Sequence, residues 1–170
     1  MEDNASLIDV LSLLDRYRLR AHRMSRAQHI AAKRADAMNR ILGVPVVALS
    51  ALVGTSIFAT LRAQPEWYWV VAAGFVALLA SVLAALHTFL GYSEVSKRHT
   101  EAATAFGQLK REMDILSLHL RLALPDPNQG LEQLRPLVDR FSVYSADSPT
   151  VDDKLYDRAK REQMDDDEGI

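Results

Sequence analysis

LASVLAALHTFLGYSEVSKRHTEAATAFGQLKREMDIL, residues Leu79–Leu116, opens as a run without a single charge and closes with a charge in nearly every turn. No Gly-Pro break separates the two halves. The first half reads as the inside of a membrane and the second as a water-exposed coiled coil. Taken together they predict one helix that leaves the lipid near Gly91 and Tyr92 and continues as a stalk.

Over all 170 residues the chain is 49% hydrophobic with a mean hydropathy of −0.05, which would suit a soluble protein. The average conceals two windows, residues 41–61 and 67–93, that hold no Asp, Glu, Lys or Arg. Each is long enough to cross a hydrocarbon core of roughly 30 Å, which takes about 20 helical residues. The first contains Ile41, Leu42, Val44, Val46, Val47, Leu49, Leu52, Val53, Ile57, Phe58 and Leu61. At about −0.3 to −0.6 kcal/mol each, they favour insertion by roughly 5 kcal/mol. The competing reading, a buried helical pair in a soluble bundle, needs a large protein around it to cover both helices. A signal peptide would place its apolar core at the start, whereas 40 largely polar residues precede this one, so both windows read as retained spans.

Basic residues set the orientation. Arg23, Arg26, Lys33, Arg34 and Arg40 precede the first span, and Lys97, Arg98, Lys110 and Arg111 follow the second. The link between them, RAQPE, carries only Arg62. That bias puts both termini in the cytoplasm, with Trp67, Tyr68 and Trp69 as an aromatic anchor at the outer interface. So short a link forces an antiparallel hairpin, and Pro45 falls in the first turn of the first span, where a missing donor costs little. The chain has no cysteine, which excludes disulfides, thiolate metal sites and cysteine catalysis.

Beyond the membrane, Tyr92, Val95, His99, Ala102, Phe106, Leu109, Met113, Leu116 and Leu120 recur in 3,4 alternation, the seam of a coiled coil. The N-terminal arm repeats the pattern through Leu7, Val10, Leu14, Tyr17, Ala21, Met24, Gln28, Ala31, Ala35 and Met38 and reads straight into the first span. The two seams suit packing against each other or against partner subunits. Pro125, Pro127 and Gly130 are expected to stop the long helix. An amphipathic segment then presents Leu131, Leu134, Leu137, Val138, Phe141 and Tyr144 on one face, and Pro136 starts it late or bends it. Ser148-Pro149 reads as an N-cap and first helical residue opening a last helix through Val151, Leu155 and Ala159.

Nothing points to catalysis: there is no phosphate-cradling glycine loop, no HExxH and no nucleophile elbow. No metal, cofactor or catalytic residue is assigned, and the acidic run Asp165–Glu168 lacks EF-hand spacing. Direct nucleic-acid binding is not indicated by the modest charge asymmetry. Arg16, Arg18, Arg20, Arg23 and Arg26 read as the solvated side of a helix, with an anionic effector or headgroup as the sharper alternative.

The spans carry more information. In the second, Ala73, Ala77, Ala80, Ala84, Thr88 and Gly91, with Ser81 beside them, form a small-residue packing stripe. In the first, Ala48, Ala51, Thr55 and Ala59 do the same. Small residues let helices approach closely where lipid removes the hydrophobic driving force. A hairpin needs one packing face per span, so the surplus on the first suggests assembly around an axis with Ala48, Ala51, Thr55 and Ala59 lining a pore. His87, near the inner boundary, reads as making an interfacial or helix-to-helix hydrogen bond, with a histidine gate as the sharper alternative. His99, at a seam position, reads as a register-setting polar residue.

The segment YSEVSKRHTEAATAFGQLKREMDIL after two closely linked spans, followed by an amphipathic helix and SPTV, resembles the SLATT domain, a two-span effector module of prokaryotic conflict systems. The likeness covers about Ser6–Glu162 and rests on Arg98, Ala102, Ala103, Phe106, Leu109, Arg111 and Glu112, with Ser148, Pro149 and Val151 later. It implies a homo-oligomeric, membrane-perforating effector of anti-phage defence with no set of catalytic residues. The cue would come from a separate nucleotide-signalling, sensor or reverse-transcriptase protein, or from a ligand. A membrane-tethered scaffold that recruits a cytoplasmic partner without conducting ions is the alternative.

The fold expected is therefore all-α: a transmembrane helical hairpin with long cytoplasmic extensions and short C-terminal helices. Its parts are an N-terminal helix (1–40), a first span (41–62), an external link (63–66), a second span (67–92), a continuous stalk (93–124), C-terminal amphipathic helices (128–163) and an acidic tail (164–170).

Overall fold

The computed structural model describes the backbone of residues 2–60 and 67–168 and the side chains of residues 7–55 and 67–162. The link 63–66 and the side chains of Ala59 and of the tail 164–170 lie outside the described residues. Five helices make up the rest: α1 (Glu2–Thr60), α2 (Trp67–Leu90), α3 (Tyr92–Ala123), α4 (Pro127–Asp147) and α5 (Asp153–Glu168). Among the described residues there is no strand. The all-helical expectation holds.

The N-terminal arm and the first apolar window are one helix of 59 residues. Pro45 therefore sits in a helix interior and not in a first turn. It cannot donate to the carbonyl four residues back, and the helix continues through that missing bond.

The second expected continuity fails. Gly91 has φ +54°, the left-handed conformation that ends a helix, and separates α2 from α3. A residue without Cβ adopts this conformation with little strain. Its carbonyl then accepts from Glu94 N at 2.9 Å and Val95 N at 3.2 Å, which starts the next helix at once. The apolar window and the stalk are two helices joined through one left-handed residue.

Residues divide into two compact units, Lys33–Ser96 on one hand and Met1–Ala32 with Lys97–Ile170 on the other. The second of these is a bundle of the first part of α1 with α3, α4 and α5. Its core joins Val10 and Leu14 of α1, Leu109, Met113 and Leu120 of α3, and Leu134 and Leu137 of α4. Phe106 is fully buried and meets Phe141 edge-on at 5.6 Å and Tyr144 at 6.2 Å, while Tyr17 closes on Phe141 at 5.6 Å. The two expected seams thus pack against each other within one chain.

On α3 the buried line is His99, Ala103, Phe106, Leu109, Met113, Ser117 and Leu120. Ala102 and Leu116 of the expected seam are half-buried, Tyr92 is half-buried, and Val95 is 40% exposed. The reason is geometric: α3 packs against both α1 and α4, so it buries a face wider than a two-stranded seam. Polar contacts border that face. Arg140 grips Glu112 through two bonds of 2.7 Å between α4 and α3. On the α1 side, Arg18 reaches Asp114 at 3.3 Å and Arg121 reaches Asp15 at 3.4 Å.

Three local expectations are corrected at the C-terminal end. The turn after α3 is made by Leu124 at φ +44°, and Gly130 lies inside α4, which starts at Pro127 with Asp126 as its N-cap. A Cβ on Gly130 would stand 3.4 Å from Val10 Cγ1 and 3.5 Å from Leu120 Cδ2, ordinary contact distances that put the first turn of α4 against α1 and α3. The helix runs through Pro136. Ser148 terminates α4 instead of opening α5, its N–H bonding Tyr144 O. The cap of α5 is Asp152, whose carboxylate accepts from Lys154 N at 3.2 Å and whose carbonyl accepts from Leu155 N and Tyr156 N. Asp competes strongly for such a position, which explains the shift.

Candidate functional site

In unit Lys33–Ser96 the apolar helices are almost uncovered. The most apolar 18-residue windows of α1 and of Trp67–Ala123 have mean hydropathies of 1.6 and 2.4 and are 0% and 6% buried. A core helix of a soluble protein would be enclosed. Here Phe89, Trp67, Val47 and Phe75 are 86, 76, 71 and 63% exposed, far more apolar surface than a soluble monomer leaves in water. Both helices are long and apolar enough to cross a membrane.

Each apolar helix nonetheless has one better-covered side. On α1 it is Leu42, Val46, Leu49 and Val53, half-buried at 4,3,4 spacing. On α2 it is Ala73, Ala77, Ala80 and Ala84, of which Ala80 is buried. The α2 packing stripe is therefore located as expected in its alanines and in half-buried Gly91. Ser81 and Thr88 are exposed. On α1, Ala48, Ala51 and Thr55 are exposed as well. At 100° per residue they lie roughly opposite the half-buried line.

The hydroxyls on these helices are satisfied locally. Thr55 Oγ1 donates toward Ala51 O and Leu52 O at 3.1 and 3.0 Å, Ser81 Oγ to Ala77 O at 3.0 Å, and Thr88 Oγ1 to Ala84 O at 3.0 Å. Bonded this way, a hydroxyl tolerates an apolar neighbour.

His87 has a specific partner. Its Nε2 lies 3.1 Å from Asn39 Oδ1, a pairing in which the ring nitrogen donates. Residues 48 apart in sequence are brought together, joining the last turn of α2 to α1. Gly43, one turn on from Asn39, makes room: a Cβ there would stand 3.1 Å from the same Nε2. Sequence reading identified His87 and its helix-to-helix bond but missed Asn39 and Gly43. The available signal was a polar and a small residue four apart, on one helix face at the edge of a charge-free window.

No family model, no curated protein and no solved structure matches the chain.

The bundle unit holds a second polar centre. Gln28 is 0% exposed and His99 8%. Gln28 Nε2 donates to Pro149 O at 2.9 Å, and since a carbonyl only accepts, that bond fixes which end of the amide faces outward. Gln28 Oε1 then faces His99 Nδ1 at 2.5 Å, so Nδ1 carries the proton. One turn along, Ser25 Oγ donates to Ala103 O at 2.8 Å, and a Cβ on Gly107 would stand 3.3 Å from that Oγ, closer than an ordinary contact. These contacts join α1 to α3 at one level of the bundle.

Burial disfavours the charged imidazole and holds the His99 pKa below its ordinary value of 6.5. Between the lowered pKa and 6.5 the unfolded chain binds more protons than the folded one. This contribution to stability is therefore complete above pH 6.5 and lost as pH falls through the folded value. Thermal unfolding of the detergent-solubilised chain should show a lower midpoint at pH 5.5 than at pH 7.5. His99→Gln should flatten that dependence.

Of the expected arginine face, Arg18 is held by Asp114, and Arg20 lies over the Tyr17 ring at 5.7 Å. Among the described residues no group of three or more His, Cys, Asp or Glu is placed to hold a metal ion.

Proposed function

We propose that this chain is a two-span protein of the prokaryotic inner membrane, with both termini in the cytoplasm, that assembles into homo-oligomers and permeabilises the membrane on a cytoplasmic cue. The resemblance to SLATT effectors supports reading that activity as part of anti-phage defence. The observation that carries the reading is the position of Ala48, Ala51 and Thr55: a small-residue stripe on an apolar helix, exposed and opposite the side that meets the rest of its own unit. In lipid such a stripe favours close helix contact, and among the described residues nothing covers it.

Two features of the fold refine the mechanism. The α1 and α3 seams are occupied within the chain, so subunit contacts fall to the spans and not to the stalks. Gly91 interrupts the path from α2 to α3, which leaves unbroken α1 as the helix that carries displacement from the bundle to the apolar window. The scaffold reading draws support from the locally bonded hydroxyls of Thr55, Ser81 and Thr88, which have no need of a water-filled path.

Dye-loaded liposomes separate the two. The purified chain, alone or with an activating partner, should release a small trapped dye. A chain whose spans are replaced by unrelated apolar anchors should not. Retained cellular function in that replacement, with harmless expression of the native chain, would sink the pore reading in favour of the scaffold.

A further inference from the structure

We infer that the α4–α5 turn together with α5 is a strap, fastened to the bundle by the buried Gln28 amide and releasable while α1, α3 and α4 stay folded. Its regulatory meaning rests on the cytoplasmic-cue reading above; the strap itself does not.

The bundle unit is unevenly buried. Helices α1, α3 and α4 share the core of Leu14, Leu109, Met113, Leu120 and Leu134, each no more than 1% exposed. Between Pro149 and Glu162, by contrast, only Ala159 is buried, and Pro149, Val151, Leu155 and Tyr156 are half-buried. An alanine contributes little apolar area, so the segment sits at the low end of local stability.

Against this small footing stands one buried polar bond. Gln28 Nε2 reaches 2.9 Å to the carbonyl of Pro149, the residue after the one that terminates α4. A fully buried amide would otherwise be paired by a helix or by water. Here it joins α1 to an irregular turn and, through Oε1, to His99 of α3. Three elements meet at one side chain, and only one of them, the turn, lacks other deep anchorage.

Position gives the strap a consequence. Gln28 sits on the same uninterrupted helix that continues into the apolar window. Displacing the turn leaves Gln28 Nε2 to be hydrated or re-paired, and a turn of that amide would alter its Oε1 contact with His99 between α1 and α3. A cytoplasmic partner that captures the turn and α5 would act on α1 without unfolding the core.

Hydrogen exchange on the full chain in lipid nanodiscs tests this. In Gln28→Leu, amides of Tyr156 and Ala159 should exchange about tenfold faster, as expected for loss of one buried hydrogen bond. Those of Leu109 and Met113 should change less than twofold. Unchanged exchange in α5 overturns the strap, and so does equal acceleration of α3 and α5, which would make the bond a fastening of the whole bundle. Should the single variant fold poorly because His99 is left unpaired, Gln28→Leu with His99→Leu removes both polar partners. The core should then recover while α5 still exchanges fast; protection of α5 in that double variant also overturns the strap. Dye release plays no part in the readout, so the strap and the pore reading fail separately.

Discussion

Phe106→Ala should destabilise the bundle by about 4 kcal/mol. Phe106 is 0% exposed and meets two aromatic rings of α4 edge-on, so truncation leaves a cavity and forfeits both ring contacts. Set against a typical stability of about 5–15 kcal/mol, that loss brings the unit close to unfolding at ambient temperature. Urea unfolding of the detergent-solubilised chain, followed by the near-UV signal of Tyr17 and Tyr144, measures it. Ile115→Ala, at a residue 69% exposed, should cost no more than about 0.5 kcal/mol. Because the α1 and α3 seams close within one chain, the unfolding midpoint should not depend on protein concentration. A midpoint that rises with concentration would return those seams to a subunit interface.

Ala51→Trp should change the rate of dye release from liposomes by tenfold or more. Ala51 and Thr55 lie on the side of α1 that no described residue covers. A Trp there adds a large ring at the point where neighbouring backbones are proposed to approach, and close approach is what a small-residue contact supplies. Val71→Trp, on α2 at a residue 60% exposed, should leave release within twofold of the native chain. Equal rates for all three proteins would remove the stripe from the conducting path.

The helical class and the two apolar helices were legible because both depend on patterns that survive without tertiary information: charge-free length and 3,4 spacing. The core was legible for the same reason, since Leu14, Phe106, Leu109, Met113 and Leu134 were all named from periodicity. What escaped were choices between local alternatives. Gly91 reads in sequence as a small residue in a stripe, and only its backbone angle shows it ending a helix. Ser148-Pro149 has the chemistry of a helix start, but Asp152 lies four residues on with a better cap. Asn39 became visible as a partner only once His87 was placed beside it, because their pairing spans 48 residues. The preference for Ala103 and Ser117 over Ala102 and Leu116 followed from a second neighbour, α4, whose position no heptad count includes.

The order of segments in the bundle unit constrains biosynthesis. Its first strip, up to Ala32, leaves the ribosome long before its complement, which begins at Lys97. Leu7, Val10 and Leu14 must therefore wait, solvated or chaperoned, while both apolar helices are made and delivered to their own environment. A nascent chain stalled before α3 would carry both apolar helices and an unpaired, sticky arm, so the order of translation delays closure of the bundle until α3 and α4 have been made.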